Sequence, residues 1–294
     1  MIYGLFIIIG ILIYIIIKKE YKIKKISQQV NEILFQQKDF YIQQYEEGNI
    51  SLLESEIKKL VSRLHEQNTL LKEDKILLKE ALENISHQMK TPLTSINLIQ
   101  ERLKEANGIE KRKLLKEQQQ LLNQIQWLVT TLMKIAQLDA NTVIFQKEKI
   151  SHLELYQQLI QPFAIQMDIK NITISLNYED VLMNIDVLWM KEALSNILKN
   201  CIEHTYDNGK IQILMKQNPL YDEIIIEDNG ESITQEDLPH LFERFYKGKN
   251  AKDSSVGIGL ALSQMIIEKH NGTISVENIH PGVRFVIHIY KEVV

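Results

Sequence analysis

Ile85-Ser86-His87-Gln88-Met89-Lys90-Thr91-Pro92-Leu93 closes a run of apolar residues spaced in sevens, Ile57, Leu64, Leu71, Leu78 and Ile85, with Leu60 and Ala81 at intervening positions. A stripe held to that period needs a partner helix to cover it. Gln67 and Asp74 take the other intervening positions, where polar side chains weaken a seam and set its register. Pro92 lies seven residues beyond Ile85, and the pattern runs on through Leu93, Ile96, Leu98 and Leu103 to Asn107-Gly108. A second amphipathic helix is expected from about Ile109 to Leu138, with Leu114, Leu121, Ile125, Leu128, Leu132 and Ile135 on one face. Such a stripe can pair within one chain or between two. A hairpin does the first, and two hairpins joined as a four-helix bundle do both.

Toward the N-terminus, residues 27–85 hold no proline and one glycine, Gly48, which predicts two helical stretches with a weak break. Ile2 to Ile17 carries no charge, and Lys18, Lys19, Lys22, Lys24 and Lys25 follow it. As a helix this segment would be about 24 Å long, short for a hydrocarbon core of about 30 Å but able to span it with local thinning or snorkelling lysines. The lysines put the downstream chain on the cytoplasmic side. A secretory signal lacks support, because no basic region precedes the apolar run and no small-residue cleavage site follows it. A buried core helix is seldom apolar all round and then abruptly basic. With almost nothing before the span, input is expected from within or beside the bilayer. A neighbouring membrane sensor or transporter is one candidate source.

Beyond Asp139 the pattern changes to short β-branched runs at Ile172–Asn177, Ile211–Met215, Glu223–Glu227, Thr273–Glu277 and Val283–Ile289. Helical patterns at about Ser151–Ile169, Val187–His204 and Leu260–His270 lie between them. One sheet with helices on a single face is the expected outcome. The fold class is therefore α+β multidomain: a transmembrane helix over 1–18, a helical coiled-coil linker over 19–76, a dimerisation hairpin over 77–139 and an α/β-sandwich domain over 140–294. The formal net charge of −4 and pI near 6.1 give no electrostatic footprint for nucleic acid. The single cysteine, Cys201, cannot form an internal disulfide and reads as a small core residue.

His87 and Thr91 are four apart and share a helix face, with Pro92 removing one backbone hydrogen bond just beyond them. An imidazole is largely neutral near pH 7 and has a ring nitrogen free to attack phosphorus. A lone helical histidine is most often a surface residue, so the reading depends on four later segments. Glu192, Asn196 and Asn200 recur every four residues on one helix, a row that makes a poor core but offers amide oxygens to Mg²⁺. Ile226-Glu227-Asp228-Asn229-Gly230 is a strand ending in an acidic turn, where a carboxylate can accept from an exocyclic amine. Leu241-Phe242-Glu243-Arg244-Phe245-Tyr246 is an aromatic segment followed by Lys247, Gly248 and Lys249. Gly257-Ile258-Gly259-Leu260-Ala261 puts glycines at a helix start, where backbone N–H groups favour anions.

Each segment is weak alone, but their order and spacing over about residues 77 to 290 resemble the bacterial two-component sensor histidine kinases. The catalytic domain of that family shares its superfamily with gyrase and the Hsp90-type chaperones. The resemblance implies ATP and Mg²⁺ as cofactors, a homodimer, a response regulator as partner and a cell-membrane location with the catalytic part in the cytoplasm. It implies His87 as phosphoacceptor, Asn200 as Mg²⁺ ligand with Asn196 beside it, Asp228 reading the adenine amine, and Gly230 lining the nucleotide pocket. Phe242 and Phe245 would anchor a lid, and Gly257, Gly259 and Leu260 would meet the phosphates. Thr91 resembles the residue that positions water for dephosphorylating the partner's aspartate. Hydrolytic relatives tend to carry a glutamate at the position of Asn196, and an amide cannot serve as that base.

The departures are specific. Gln88 stands where most members have an acid; it can orient the imidazole but cannot stabilise a positive ring. Ser232 replaces a usual glycine, as does Ser255 or Val256, and Glu203 stands where a basic residue is common. Lys199, Arg244 and Lys247 are candidate replacement cations. These departures motivate an alternative, a phosphatase-biased scaffold or pseudokinase with little transfer activity. A free-running ATP-hydrolysing machine is disfavoured by Asn196 and by the phosphoacceptor hairpin.

Overall fold

The computed structural model describes residues 49–248 and 256–291, together with 3, 6, 7, 9–14, 16–18, 20, 21 and 24. Residues 19, 22, 23 and 25–48 of the expected linker, Lys249 and Ser255 lie outside the described residues, as do residues 1, 2, 4, 5, 8 and 15 of the span expected over 1–18. Residues 9–14 and 16–18 are helical, and their large apolar side chains are exposed. Among the described residues no helix is long and apolar enough to cross a membrane.

The chain divides into two units, Met1–Glu80 and Ala81–Val294. Helix α1, Asn49–Leu103, carries the heptad stripe and continues through Pro92. On its first-unit portion Leu60, Leu64 and Leu71 are exposed. In the second unit, α1 turns at residues 104–107 into α2, Gly108–Asp139. Gly108 has φ +56, a left-handed conformation suited to glycine. The turn end of the hairpin closes on a small cluster of Ile99, Ala106 and Leu114, flanked by Leu103 and Leu121.

The remaining chain is an α/β sandwich. Its five-stranded sheet has the order β2-β4-β5-β7-β6, with β2 (Thr173–Tyr178), β4 (Lys210–Gln217), β5 (Tyr221–Asp228), β6 (Gly272–Asn278) and β7 (Val283–Tyr290). Only β2 and β4 are parallel; the other pairs are antiparallel. Along β5 burial alternates, with Asp222, Ile224, Ile226 and Asp228 turned inward. Period-two alternation of this kind marks a sheet covered on one face.

That face is covered by α3 (His152–Ile160), α5 (Val187–His204) and α6 (Gly259–Lys269), whose apolar residues join one core with Ile213, Met215, Phe285 and Ile287. The helix expected over Ser151–Ile169 is split by Gln161-Pro162-Phe163 into α3 and α4 (Ala164–Lys170), because Pro162 has no N–H to continue the first helix. Two short strands, β1 (Glu148–Ser151) and β3 (Leu182–Ile185), form a separate antiparallel pair that the sequence pattern did not mark. Four residues each are too few to display a period.

Candidate active site

Helix α5 carries two rows of side chains. Leu194, Ile197, Leu198, Cys201 and Ile202 turn fully into the core, while Asn196, Lys199, Asn200 and Glu203 fall on the other side at spacings of three and four. The helix starts at Asp186, whose carboxylate accepts from Trp189 N at 3.1 Å and from Gln146 N at 2.8 Å. The first bond caps the helix, and the second ties in the segment that enters from the hairpin.

The polar row of α5 lines a cavity of about 480 Å³. Opposite it stands Asp228, the last residue of β5, paired with Ile211 on one side and Val283 on the other. Val256, Gly257, Gly259 and Leu260 bound the cavity at the entry to α6, and Leu241, Tyr246, Lys247 and Gly248 close another side. The hairpin closes a further side, with Gln120, Asn123, Gln124 and Trp127 of α2.

Asp228 is almost fully buried, and burial pushes its carboxyl above the ordinary carboxylate range. Hydrogen bonds from Gly230 N–H at 2.9 Å and from the Cys201 thiol pull it part of the way back. Burial likewise pushes the Cys201 thiol well up, so it stays a protonated donor to Asp228. A carboxylate held in this way reads a donor, such as an exocyclic amine, more readily than it would bind a cation.

The residues fit a Mg²⁺-nucleotide. Asn196 Nδ2 is buried with no partner, which marks it as a donor directed at a ligand. Gly259 faces Asn196, and a Cβ there would stand 3.5 Å from the amide, narrowing the approach to the α6 N-terminus. Gly257 has φ +75, and an added Cβ would strike the carbonyl of Tyr246. Among the described residues no group of three or more His, Cys, Asp or Glu could hold a metal ion by itself. A Mg²⁺ on the Asn200 amide would take most of its oxygens from phosphate and water.

Several expected site residues lie elsewhere. Gly230 does not line the cavity. Its Cβ would collide with the carbonyl of His204, so glycine is needed for the turn to pass under the end of α5. Phe242 and Phe245 pack against the core, while their neighbours Leu241 and Tyr246 face the cavity. Tyr246 O–H donates to Asp237 at 2.7 Å, and that bond pushes the phenol up to about 12. Arg244 is bound to Asp139 at the end of α2 by two bonds of 2.7 Å, so of the three candidate cations only Lys199 and Lys247 line the cavity.

His87 and Thr91 are exposed on α1 and Gln88 is half-buried; none of them lines the cavity. Thr91 Oγ1 donates back to His87 O at 3.3 Å, while Pro92 is buried. The α2 contribution was not foreseen, because Gln120, Asn123, Gln124 and Trp127 lie off the apolar face marked by Leu121, Ile125 and Leu128. Its only signal was a tryptophan among glutamines.

Comparison with known proteins finds two domain families in this chain. Residues 77–141 match the His Kinase A (phospho-acceptor) domain, and residues 185–293 match the histidine kinase-, DNA gyrase B-, and HSP90-like ATPase. The heme sensor protein HssS of Staphylococcus haemolyticus is 28% identical over 285 residues, covering 95% of this chain and 61% of that protein. The sensor histidine kinase YvrG of Bacillus subtilis is 27% identical over 211 residues, covering 68% of this chain and 36% of that protein. The chain thus spans about half the length of the curated relatives it matches. Among solved structures, histidine kinase ThkA in complex with response regulator protein TrrA superposes with TM-score 0.61 at 25% identity, covering 75% of this chain and 64% of that one. Acinetobacter baumannii histidine kinase AdeS shares the fold at TM-score 0.61 and 21% identity, covering 69% and 97%.

Proposed function

We propose, from the premise that this chain carries the phospho-acceptor and ATPase domains of the histidine kinases, that it is a homodimeric sensor kinase which phosphorylates itself on His87. The phosphoryl group then passes to an aspartate of a response regulator. The observation that carries this reading is the polar face of α5 set opposite Asp228. An orphaned amide, a lysine and a second amide stand on one wall, and a buried carboxyl stands on the other. ATP supplies the phosphoryl group, and Mg²⁺ neutralises its charge.

Asp228 accepts from the base, while Asn200 holds the metal and Asn196 and Lys199 orient the polyphosphate. A neutral His87 nitrogen attacks the terminal phosphorus as the bond to the leaving oxygen breaks, and the ring then sheds its N–H proton to solvent. Asn196 cannot take a proton from water, so transfer is favoured over hydrolysis. Thr91, hydrogen-bonded one turn back to the His87 carbonyl, is suited to position water for the reverse service, dephosphorylation of the regulator. Residues 1–18 anchor the chain in the cell membrane, with the rest in the cytoplasm.

The test uses the full-length chain in detergent with Mg²⁺ and γ-labelled ATP. Acid-labile, alkali-stable label that disappears in His87→Ala is the expected result. Label that persists in His87→Ala, or no binding of adenine nucleotide at all, overturns the reading. Gln88→Glu is expected to label several-fold faster than the parent, since a carboxylate stabilises the positive ring that the amide cannot; an equal initial rate removes that role for position 88.

A further inference from the structure

The cavity is short of positive charge. Glu203, Asp228, Glu231 and Asp237 line it against two lysines, Lys199 and Lys247. Lys199 stands between Asn196 and Asn200 on α5, one turn before Glu203, so any polyphosphate on the amide row draws on its ammonium. In the docked arrangement seen here that ammonium is already engaged by the hairpin. It lies 5.4 Å from the centroid of the Trp127 ring, with Glu203 3.9 Å away. Tryptophan is the strongest cation–π partner among the side chains, and this ring belongs to α2, the hairpin helix that walls the cavity.

We propose that Trp127 sets nucleotide affinity by competing with the polyphosphate for Lys199. This rests on the nucleotide reading given above and adds a positioning residue from outside the ATPase domain. When phosphate takes the ammonium, the indole loses its cation and α2 loses one of its ties to the ATPase domain. The ion pairs Lys134–Glu192 at 3.0 Å and Arg244–Asp139 remain, as does the packing of Leu128, Ile135 and Leu138 into the α/β core, so the hairpin is loosened rather than released. Competition for one ammonium is reciprocal: docking weakens nucleotide binding by the same factor by which nucleotide weakens docking. Loading the site therefore favours the freedom that the ATPase domain needs to reach an exposed His87.

The chain has two tryptophans, so Trp189→Phe leaves Trp127 as the sole indole reporter. The full-length Trp189→Phe protein in detergent is titrated with Mg²⁺ and a non-hydrolysable ATP analogue, following both heat and emission. A saturable red shift in Trp127 emission, on the same curve as the heat, is expected. Trp127→Leu, which keeps apolar bulk without a π face, is expected to tighten the analogue about threefold, the size of a cation–π contact at a half-exposed site. Trp127→Phe should fall between the two. In a Lys199→Met background, Trp127→Leu should change the affinity no further. An affinity that Trp127→Leu leaves unchanged or weakens makes the indole a plain wall or a nucleotide contact, and overturns the proposal while the nucleotide site stands. Absence of any binding by the parent overturns both.

Discussion

Helices α1 and α5 are both rich in apolar residues, yet they bury them to opposite degrees. Leu64 and Leu71 of α1 are 49% and 57% exposed, whereas Leu194, Ile197, Leu198 and Ile202 of α5 are at 0%. Helix α5 finds within its own chain a sheet on one side and α6 on the other. Among the described residues, the seam of α1 finds no such cover. The α/β domain buries its apolar residues within one chain, in a core to which α2 adds Leu128, Ile135 and Leu138, whereas exposed apolar residues kept on a heptad period along α1 are the physical argument for the partner helix of the proposed homodimer.

The sharpest way to break this comparison is to truncate one leucine from each region. Leu194→Ala should cost the α/β domain about 2–5 kcal/mol, read from its denaturant unfolding, since it opens a cavity in a closed core. Leu71→Ala should leave that transition where it is and instead raise the dimer dissociation constant several-fold in sedimentation runs over a range of concentrations. Equal losses of domain stability from the two would mean that the α1 seam is already covered within one chain.

Acid should act next most strongly, and on the finished core. His152 is fully buried, and burial holds its ring below the ordinary histidine value, against the opposing pull of Asp222 and Glu179. His270 is depressed for the same reason. It donates from Nδ1 to Ile266 O at 2.8 Å and accepts at Nε2 from Asp186 N at 3.2 Å, a pairing only the neutral ring can make. In the unfolded chain both rings take up a proton near pH 6.5, whereas in the folded domain they do so only at lower pH. Their contribution is therefore whole above about pH 6.5 and is lost as the pH falls toward the folded values, by up to about 1.4 kcal/mol per pH unit for each ring. Melting at pH 7.5 and 5.5 should show the drop, and His152→Phe should shrink it. An unchanged drop would clear His152.

The smallest effect tests the seam between the two regions. Asp139→Asn removes one partner of an exposed two-bond ion pair with Arg244, a contact worth about 1 kcal/mol or less. Hydrogen exchange over residues 139–146 should speed up about threefold at low salt and hardly at all at high salt, where the parent pair is screened as well. A change that ignored salt would point to packing rather than charge.

Much of this was legible in local patterns. The seven-residue stripe and the Asn107-Gly108 break predicted the helical hairpin, and the apolar period over Val187–His204 matched α5 end to end. Asp228 and the Gly257-Ile258-Gly259 turn could be singled out because their chemistry is local: a strand end, a helix start, a backbone left bare. What Gly230 meets was not legible, because its neighbour is the carbonyl of His204, twenty-six residues back in the chain and invisible to any local period. The orientation of the Leu241–Tyr246 segment was hidden for a related reason. An irregular segment has no face until it is packed, and here it turned Leu241 and Tyr246 to the cavity.

The sequence alone determined the periodic elements, the order of the motif segments and the chemical character of the α5 row, since each depends on residues within a turn or two of one another. The tertiary structure decided which cations the cavity keeps, that α2 lends it Trp127, and that Arg244 is held by Asp139. These are meetings between residues some seventy to a hundred positions apart. Only the packing of α2 against the α/β domain brings such side chains within reach.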